Sequence, residues 1–184
     1  MITAKYTLTQ EDYIQYYTYI VWDAPHQKRK KIKYYLKQVL TNAALVAIIF
    51  YTGFFSFHSW FLYLYIGVII FTTVVQIITA RNSIKKQGEK FAADEQNSLL
   101  FTEKTLEAGE HELLVKDSYT ENKYQWKAFT RKHENQLYYF LFINSLQAII
   151  IPKRCFKILE DRTRFEKLLN QHLSLDAELG YMVK

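Results

Sequence analysis

Residues 38–80 read QVLTNAALVAIIFYTGFFSFHSWFLYLYIGVIIFTTVVQIITA, which is 43 consecutive positions without Lys, Arg, Asp or Glu. Apart from the tyrosines, His58 is the one titratable side chain in this stretch. A single helix of this length would extend roughly 65 Å. The hydrocarbon core of a bilayer is about 30 Å thick, and about 20 apolar residues cross it. The stretch therefore predicts two membrane spans.

The turn between the spans is predicted at residues 53–60, where small, polar and aromatic residues interrupt the aliphatic run. This places the spans at about 38–55 and 60–80. The alternative is a soluble protein with two buried helices. A core helix normally has one polar face, and residues 45–50 and 66–71 show none. The pattern therefore favours a transmembrane hairpin.

Basic residues flank the uncharged stretch on both sides. Residues 28–90 carry a net charge of +9, whereas residues 1–27 carry −2 and residues 91–184 carry −1. The positive-inside rule then predicts a multi-pass protein of the inner cell membrane with both termini in the cytoplasm. The residues expected to set this topology and to meet lipid headgroups are Lys28, Arg29, Lys30, Lys31, Lys33, Arg81, Lys85 and Lys86. A nucleic-acid partner is not expected, because the soluble portions are close to neutral.

Two amides lie within the predicted spans. Asn42 follows Gln38 by four residues and Gln76 precedes Ala80 by four, so antiparallel spans bring the two amides to the same depth. Amides in lipid seek partners, so we expect an Asn42–Gln76 hydrogen bond. The alternative is that water hydrates both amides at the interface.

The N-terminal arm, residues 1–27, is predicted to form a strand and an amphipathic helix. Residues 2–8 alternate in polarity, Thr9 and Asp12 resemble a capping box, and Pro25 ends the helical pattern. Such an arm is too small to fold alone, so we expect it to pack on the later domain.

Residues 91–184 are predicted to form a small antiparallel β domain. A polar, helix-compatible segment from Arg81 to about Gln96 precedes it, with Gly88 as its weak point. The candidate strands are Leu99–Thr102, Thr105–Ala108, Glu112–Tyr119, Asn122–Trp126, Phe129–Lys132, Leu137–Ile143 and Leu146–Ile151. A closing helix is expected at about Asp161–Leu173. The fold class is thus an α+β membrane protein with a cytoplasmic domain resembling a pleckstrin-homology module.

The sequence carries no recognisable catalytic, cofactor or metal motif. Five glycines form no phosphate loop, the five histidines have no ligand spacing, and the single cysteine excludes an intrachain disulfide. Cys155 is interpreted as a packing residue rather than a reactive thiol, and His172 as a core or boundary residue. We therefore expect neither an enzyme nor a cofactor.

Trp126 and residues 149–156 are the most distinctive soluble features. Trp126 is expected in the core, and Pro152 ends a strand because it cannot donate to the sheet. Lys153, Arg154 and Lys157 form a candidate anion-binding rim, with ordinary solvated cations as the alternative.

The order of these features resembles the YcxB-like family of bacterial membrane proteins. The resemblance rests on Leu-Thr-Gln-Glu-Asp-Tyr at 8–13, the basic segment, the two-span hairpin, Trp126 and Ile-Pro-Lys-Arg-Cys-Phe at 151–156. It implies membrane location and architecture, and it transfers no functional residues.

The expected function is a non-catalytic module that presents its β domain at the membrane surface, with the bilayer and an unidentified protein as partners. The alternative is an accessory subunit assembled through the hairpin. An enzyme on lipid-linked substrates and an immunity protein are further, less favoured classes.

Overall fold

A computed structural model describes residues 1–51 and 59–173. The chain divides into two compact units. One comprises Met1–Tyr17 and Gly88–Lys184 and is called the β unit here; the other, Thr18–Gln87, is called the helical unit.

The first helix, α1 (Gln10–Thr18), begins at the predicted capping box. The Thr9 backbone N–H donates to Asp12 Oδ2 at 2.7 Å, and the Asp12 N–H donates to Thr9 Oγ1 at 3.3 Å. Each residue thus satisfies a backbone donor that the helix cannot pair, so the box is confirmed. A π-helical turn follows at Tyr19–Asp23.

Two long helices make up most of the helical unit. They are α2 (Lys28–Tyr51) and α3 (Ser59–Ala93), with a 3-10 turn at Pro25–Gln27 before α2. The last turns of α3 belong to the β unit. There Phe91 stacks on Tyr13 of α1, with ring centroids 5.0 Å apart.

The described β unit contains two antiparallel sheets. The first has the order β1-β2-β3-β4, and the second has the order β5-β6-β7. Their strands are β1 (Ile2–Thr7), β2 (Glu103–Ala108), β3 (Glu112–Lys116), β4 (Glu121–Gln125), β5 (Arg131–Glu134), β6 (Tyr138–Phe142) and β7 (Ala148–Pro152). Strand β1 pairs along its whole length with β2, from Ile2 opposite Ala108 to Thr7 opposite Glu103.

The core of the β unit lies around β6, whose five residues are all buried. The C-terminal helix α4 (Leu159–His172) contributes Phe165 and Leu169, which are almost completely buried. The predicted β6–β7 hairpin is confirmed. Asn144 Oδ1 accepts backbone N–H groups of Leu146 and Gln147 and closes the turn.

Several predicted elements differ from the structure. Strand β3 ends at Lys116 instead of Tyr119, and β5 is shifted by two residues from the predicted Phe129–Lys132. Residues 99–102 are not a strand, because a 3-10 helix occupies Glu95–Phe101, begun by Asp94, whose side chain accepts the Gln96 N–H. Helix α3 continues through Gly88 to Ala93 instead of weakening there. Helix α4 starts at Leu159, two residues before the predicted start.

One described stretch, Ile66–Ala93, is long and apolar enough to cross a membrane, and only 6% of its most apolar window is buried. This supports membrane association weakly, because length and composition are its whole basis. The two-span hairpin is not confirmed. Part of the predicted first span, and the predicted loop with His58, lie outside the described residues.

Candidate binding cleft and buried ion pair

Asp12 is the most buried carboxylate among the described residues, with 1% of its surface exposed. Arg154 forms a two-pronged ion pair with it, Nη1 lying 2.7 Å from Oδ1 and Nη2 contacting Oδ2. The Tyr138 hydroxyl also donates to Oδ1, at 2.8 Å. The carboxylate therefore joins α1 to β6 and to the 3-10 turn after β7.

These contacts decide the ionisation state of Asp12. Burial by itself raises the pKa of the carboxyl, but the hydrogen bonds from Arg154, Thr9 and Tyr138 outweigh burial and hold the pKa below its ordinary value. In return, burial and the bond to Asp12 raise the pKa of Tyr138 to about 12. The group is a stable ion pair rather than a proton donor near neutral pH.

A second polar network lies where α4 covers β5 and β6. Glu166 accepts hydrogen bonds from the Tyr139 hydroxyl and from Arg162 Nε. These bonds lower the pKa of Glu166, the Tyr139 bond most strongly. The buried Lys132 bonds Asn170 of α4, and burial lowers its pKa. Both contacts satisfy polar groups at the edge of the core, so their role is structural.

An open cleft of about 310 Å³ lies at the end of the first sheet. Its floor is Trp126, which is 4% exposed and donates its indole N–H to the Gly109 carbonyl at 3.0 Å. The His172 ring lies parallel to the indole, with centroids 5.2 Å apart. The remaining lining residues come from the β2–β3 turn and the end of β4: Glu110, His111, Glu112, Gln125 and Lys127.

The cleft has the size of a small ligand-binding pocket and a polar lining. Its volume is at the small end of ligand pockets, about 300–1,000 Å³. Two imidazoles, two carboxylates, an amide and an ammonium group surround an aromatic floor, and Glu112 also pairs with Lys123 at 2.7 Å. Within residues 1–51 and 59–173, no group of His, Cys, Asp and Glu is arranged to hold a metal ion.

The candidate anion rim is already partly neutralised. Lys153 pairs with Glu134 at 2.5 Å and lies over the Tyr139 ring. Arg154 is committed to Asp12, and Lys157 is exposed. An anion at this rim would have to compete with two carboxylates of the protein itself. The structure therefore assigns Lys153 and Arg154 to intramolecular pairs.

The residues expected to set the topology lie in the first turns of α2 and in the C-terminal part of α3. Lys31 and Lys85 are half-buried, and the exposed members are Lys28, Arg29, Lys30, Lys33, Arg81 and Lys86. Asp23 pairs with Arg81 at 3.0 Å and contacts Lys31 at 3.8 Å.

The amides of Asn42 and Gln76 do not form the expected hydrogen bond with each other. Asn42, which is 9% exposed, donates from Nδ2 to Thr73 Oγ1 at 2.6 Å. Thr73 lies one turn before Gln76 on α3. The Gln76 amide oxygen is buried and has no hydrogen-bond partner in the described part of the chain. The hydroxyl of Thr73 thus supplies the contact that we expected from Gln76.

The sequence pattern predicted neither the Asp12–Arg154 ion pair nor the grouping of the cleft residues. Asp12 was recognised only as a capping residue, and its partner lies 142 positions later. The one available signal was that a charged residue sits on the buried face of α1. Cys155 is buried as expected, while His172 is exposed and stacks on Trp126.

The fold and cleft define an α+β protein with a ligand-sized cleft in the β unit and an exposed apolar helix in the helical unit. Residues 108–169, a third of the chain, match the family model of the YcxB-like protein. The match covers most of the cleft lining and Arg154, and stops before His172. No curated protein and no solved structure matches the chain.

Proposed function

We propose that this chain is a non-catalytic, membrane-anchored module of the YcxB-like family in the bacterial inner membrane. In this proposal, two helices cross the bilayer, both termini lie in the cytoplasm, and the β unit recognises a partner there. The proposal has an anchoring part and a recognition part, and the two are supported by different observations.

The exposure of α3 carries the anchoring part. Tyr63, Phe71 and Ile78 are each more than 60% exposed, and only 6% of the most apolar window of this helix is buried. A continuous apolar surface of this kind is unfavourable in water, whereas in a bilayer it would contact the lipid acyl chains. The uncharged end of α2 would supply the second crossing.

The β unit supports the recognition part. A four-stranded sheet, a three-stranded sheet and a C-terminal helix are the parts expected of a pleckstrin-homology-like module. The described helical unit would then be an insertion between β1 and β2. Since the cleft is lined by chemically diverse side chains around Trp126, it is the surface that we assign to partner binding.

Alkaline carbonate extraction of cell membranes tests the anchoring part. We expect the full-length chain to stay in the membrane pellet and to be released only by detergent. A matched variant in which Ile70 and Phe71 become Lys should be lost from the pellet, because charge at the centre of a span is strongly disfavoured. A wild-type protein that is released by carbonate and monodisperse without detergent would contradict the proposal.

The recognition part is tested with His111→Ala/His172→Ala in the full-length chain. Both side chains line the cleft and are exposed, so the fold should tolerate the change. Partners that co-purify with the wild type should be lost, while Lys5→Ala, on the exposed face of β1, should retain them. Equal recovery with both variants would remove the cleft from the proposal. The isolated segment 97–184 is unsuitable here, because it lacks β1 and Asp12.

A second candidate function is an accessory subunit that assembles through its membrane helices. The Gln76 amide favours it. Its oxygen has no hydrogen-bond partner in the described ranges, and a rotation of this half-buried side chain would present the amide to a donor on a neighbouring protein, from which a polar group in lipid gains. We expect Gln76→Leu to weaken co-purification of a membrane partner under this function and to leave it unchanged under the first.

A further inference from the structure

The helical unit contains an aromatic cluster at the start of α2. The Trp22 ring meets Tyr34 and Tyr35 edge-on, at 6.1 Å and 6.2 Å between centroids. The two tyrosines also contact each other, and Lys31 Nζ lies 5.2 Å from the centre of the Trp22 ring. We call these four residues the anchor cluster. Tyr34 remains 42% exposed, so the cluster is at the surface.

The π-helical turn explains how Trp22 reaches α2. The Ala24 N–H bonds the Tyr19 carbonyl at 2.8 Å, which is the five-residue spacing of a π-helix, and the chain then turns at Pro25. Asp23, next in sequence, pairs with Arg81 of α3 and contacts Lys31. The ion pairs therefore fix the cluster at the place where α2 and α3 both carry their basic residues.

A basic face lies directly beside the anchor cluster. Lys30, Lys33 and Lys37 recur at helical spacing and are all exposed. Tyr34 borders both this face and the aromatic one. No Asp or Glu occurs between Asp23 and Glu89, so no acid of α2 neutralises these lysines. The surface thus combines unneutralised positive charge with amphipathic rings.

We propose that the anchor cluster and Lys30, Lys33 and Lys37 form a binding surface for the headgroups of anionic bilayer lipids. The surface lies within a few residues of Gln38, where the uncharged run begins. Tryptophan and tyrosine favour the depth at which headgroups meet acyl chains, and lysines there attract anionic lipid. This inference rests on the anchoring part of the proposed function and adds a lipid preference to it.

The charge pattern favours lipid over a nucleic acid as the occupant. Phosphates in a nucleic acid would be contacted by basic residues spread over a soluble face. Here the basic residues stop where the apolar stretch starts, and the rings are at that boundary. An acidic protein would bind lysines that lie away from the bilayer, and an apolar stretch next to those lysines would add nothing to its affinity.

The test uses full-length protein reconstituted in vesicles of phosphatidylcholine and phosphatidylglycerol, with bromine on the acyl chains of one lipid or the other. Bromine quenches tryptophan fluorescence on contact. The signal of wild type minus that of Trp22→Phe isolates Trp22, since the other tryptophans are present in both proteins. We expect brominated phosphatidylglycerol to quench Trp22 about twofold or more above brominated phosphatidylcholine at equal mole fraction. Bromine near the headgroup should quench more than bromine at mid-chain.

Three triple variants complete the design. Lys30→Gln/Lys33→Gln/Lys37→Gln should remove the excess quenching, while the same three changes to Arg should keep it. Lys5→Gln/Arg164→Gln/Lys167→Gln removes equal charge from exposed positions of the β unit and should also keep the excess quenching.

Equal quenching by the two lipids, or dominant quenching from mid-chain bromine, would overturn the inference while leaving the membrane anchor intact. A protein that does not remain with the vesicles after a carbonate wash would instead overturn the anchor itself. Retention of the excess in the Gln variant would show that the lysines are not its cause, and would equally overturn the inference.

Discussion

Replacing Arg154 with Leu should destabilise the β unit, because it leaves the buried carboxylate of Asp12 without its cationic partner. Arg154 supplies two of the four hydrogen bonds that Asp12 accepts, and the Thr9 N–H and the Tyr138 hydroxyl supply the others. A variant at this one position therefore tests whether the ion pair holds α1 against the second sheet.

The magnitude follows from the burial of the two partners. Removing one partner of a fully buried pair costs about 3–5 kcal/mol. The Arg154 side chain is 51% exposed, and water can partly hydrate the carboxylate once Leu replaces it, so we expect about 2 kcal/mol. For a domain of about 100 residues, such as the β unit, this loss of stability corresponds to a fall in the unfolding midpoint of about 5–10 °C.

Thermal unfolding of the full-length protein in mild detergent, followed by near-ultraviolet circular dichroism, measures this loss. Arg164→Leu is the matched control, because Arg164 lies on α4, is 70% exposed and contacts Glu160 at only 3.9 Å. Its effect should stay below about 0.5 kcal/mol. If Arg154→Leu unfolds at the same temperature as Arg164→Leu, the reasoning about the ion pair is refuted.

The pH dependence gives this prediction a second signature. The pKa of Asp12 is lower in the folded protein than in the unfolded chain, so its contribution to stability is complete above the ordinary carboxyl pKa. The contribution is lost as the pH falls through the folded-state pKa. The difference between wild type and Arg154→Leu should therefore shrink in acid. In the double variant Asp12→Asn/Arg154→Leu, which leaves no unpaired carboxylate at position 12, the loss should be smaller than the sum of the single losses by about 1 kcal/mol.

Three further predictions concern single positions. Burial raises the pKa of the Cys155 thiol to about 12, so maleimide should label it only after unfolding; rapid labelling of the native protein by mass spectrometry would contradict this. Gly88→Leu should cost about 1–3 kcal/mol in thermal unfolding because a Cβ there would lie 3.1 Å from Tyr17, whereas Gly67→Leu, with open space around it, should be tolerated. Asp117 accepts the backbone N–H groups of Tyr119 and Thr120, which lower its pKa to about 2. Asp117→Ala should therefore speed amide hydrogen exchange in the β3–β4 turn, and in the wild type the protection of these amides should weaken only as the pH approaches that value.

Local chemistry made several elements predictable. The capping box at Thr9 and Asp12 involves residues three apart, and the turn at Asn144 closes through its own side chain. The strands that alternate in polarity were found to within a few residues. The strand predicted at residues 99–102 was wrong. An apolar pair there matched a strand pattern, but the cap at Asp94 starts a 3-10 helix that includes these positions up to Phe101.

Contacts between residues far apart in the chain could not be predicted from the sequence pattern. The pairing of β1 with β2 joins segments separated by both long helices, and nothing in the alternation of residues 2–8 names Glu103–Ala108 as the partner. Likewise, Asn42 forms its hydrogen bond with Thr73 and not with Gln76, because a rotation of α3 by less than one turn decides which side chain faces α2.

By itself, the sequence determined where charge is absent, where helices begin and turns close, and that one long stretch is apolar. These properties depend on composition and on neighbours a few residues apart. Only the tertiary structure decided that Asp12 meets Arg154 and that His172 covers Trp126, since each contact joins residues whose distance along the chain carries no information about their distance in space. Packing of the two sheets and α4 sets those distances, and with them the cleft.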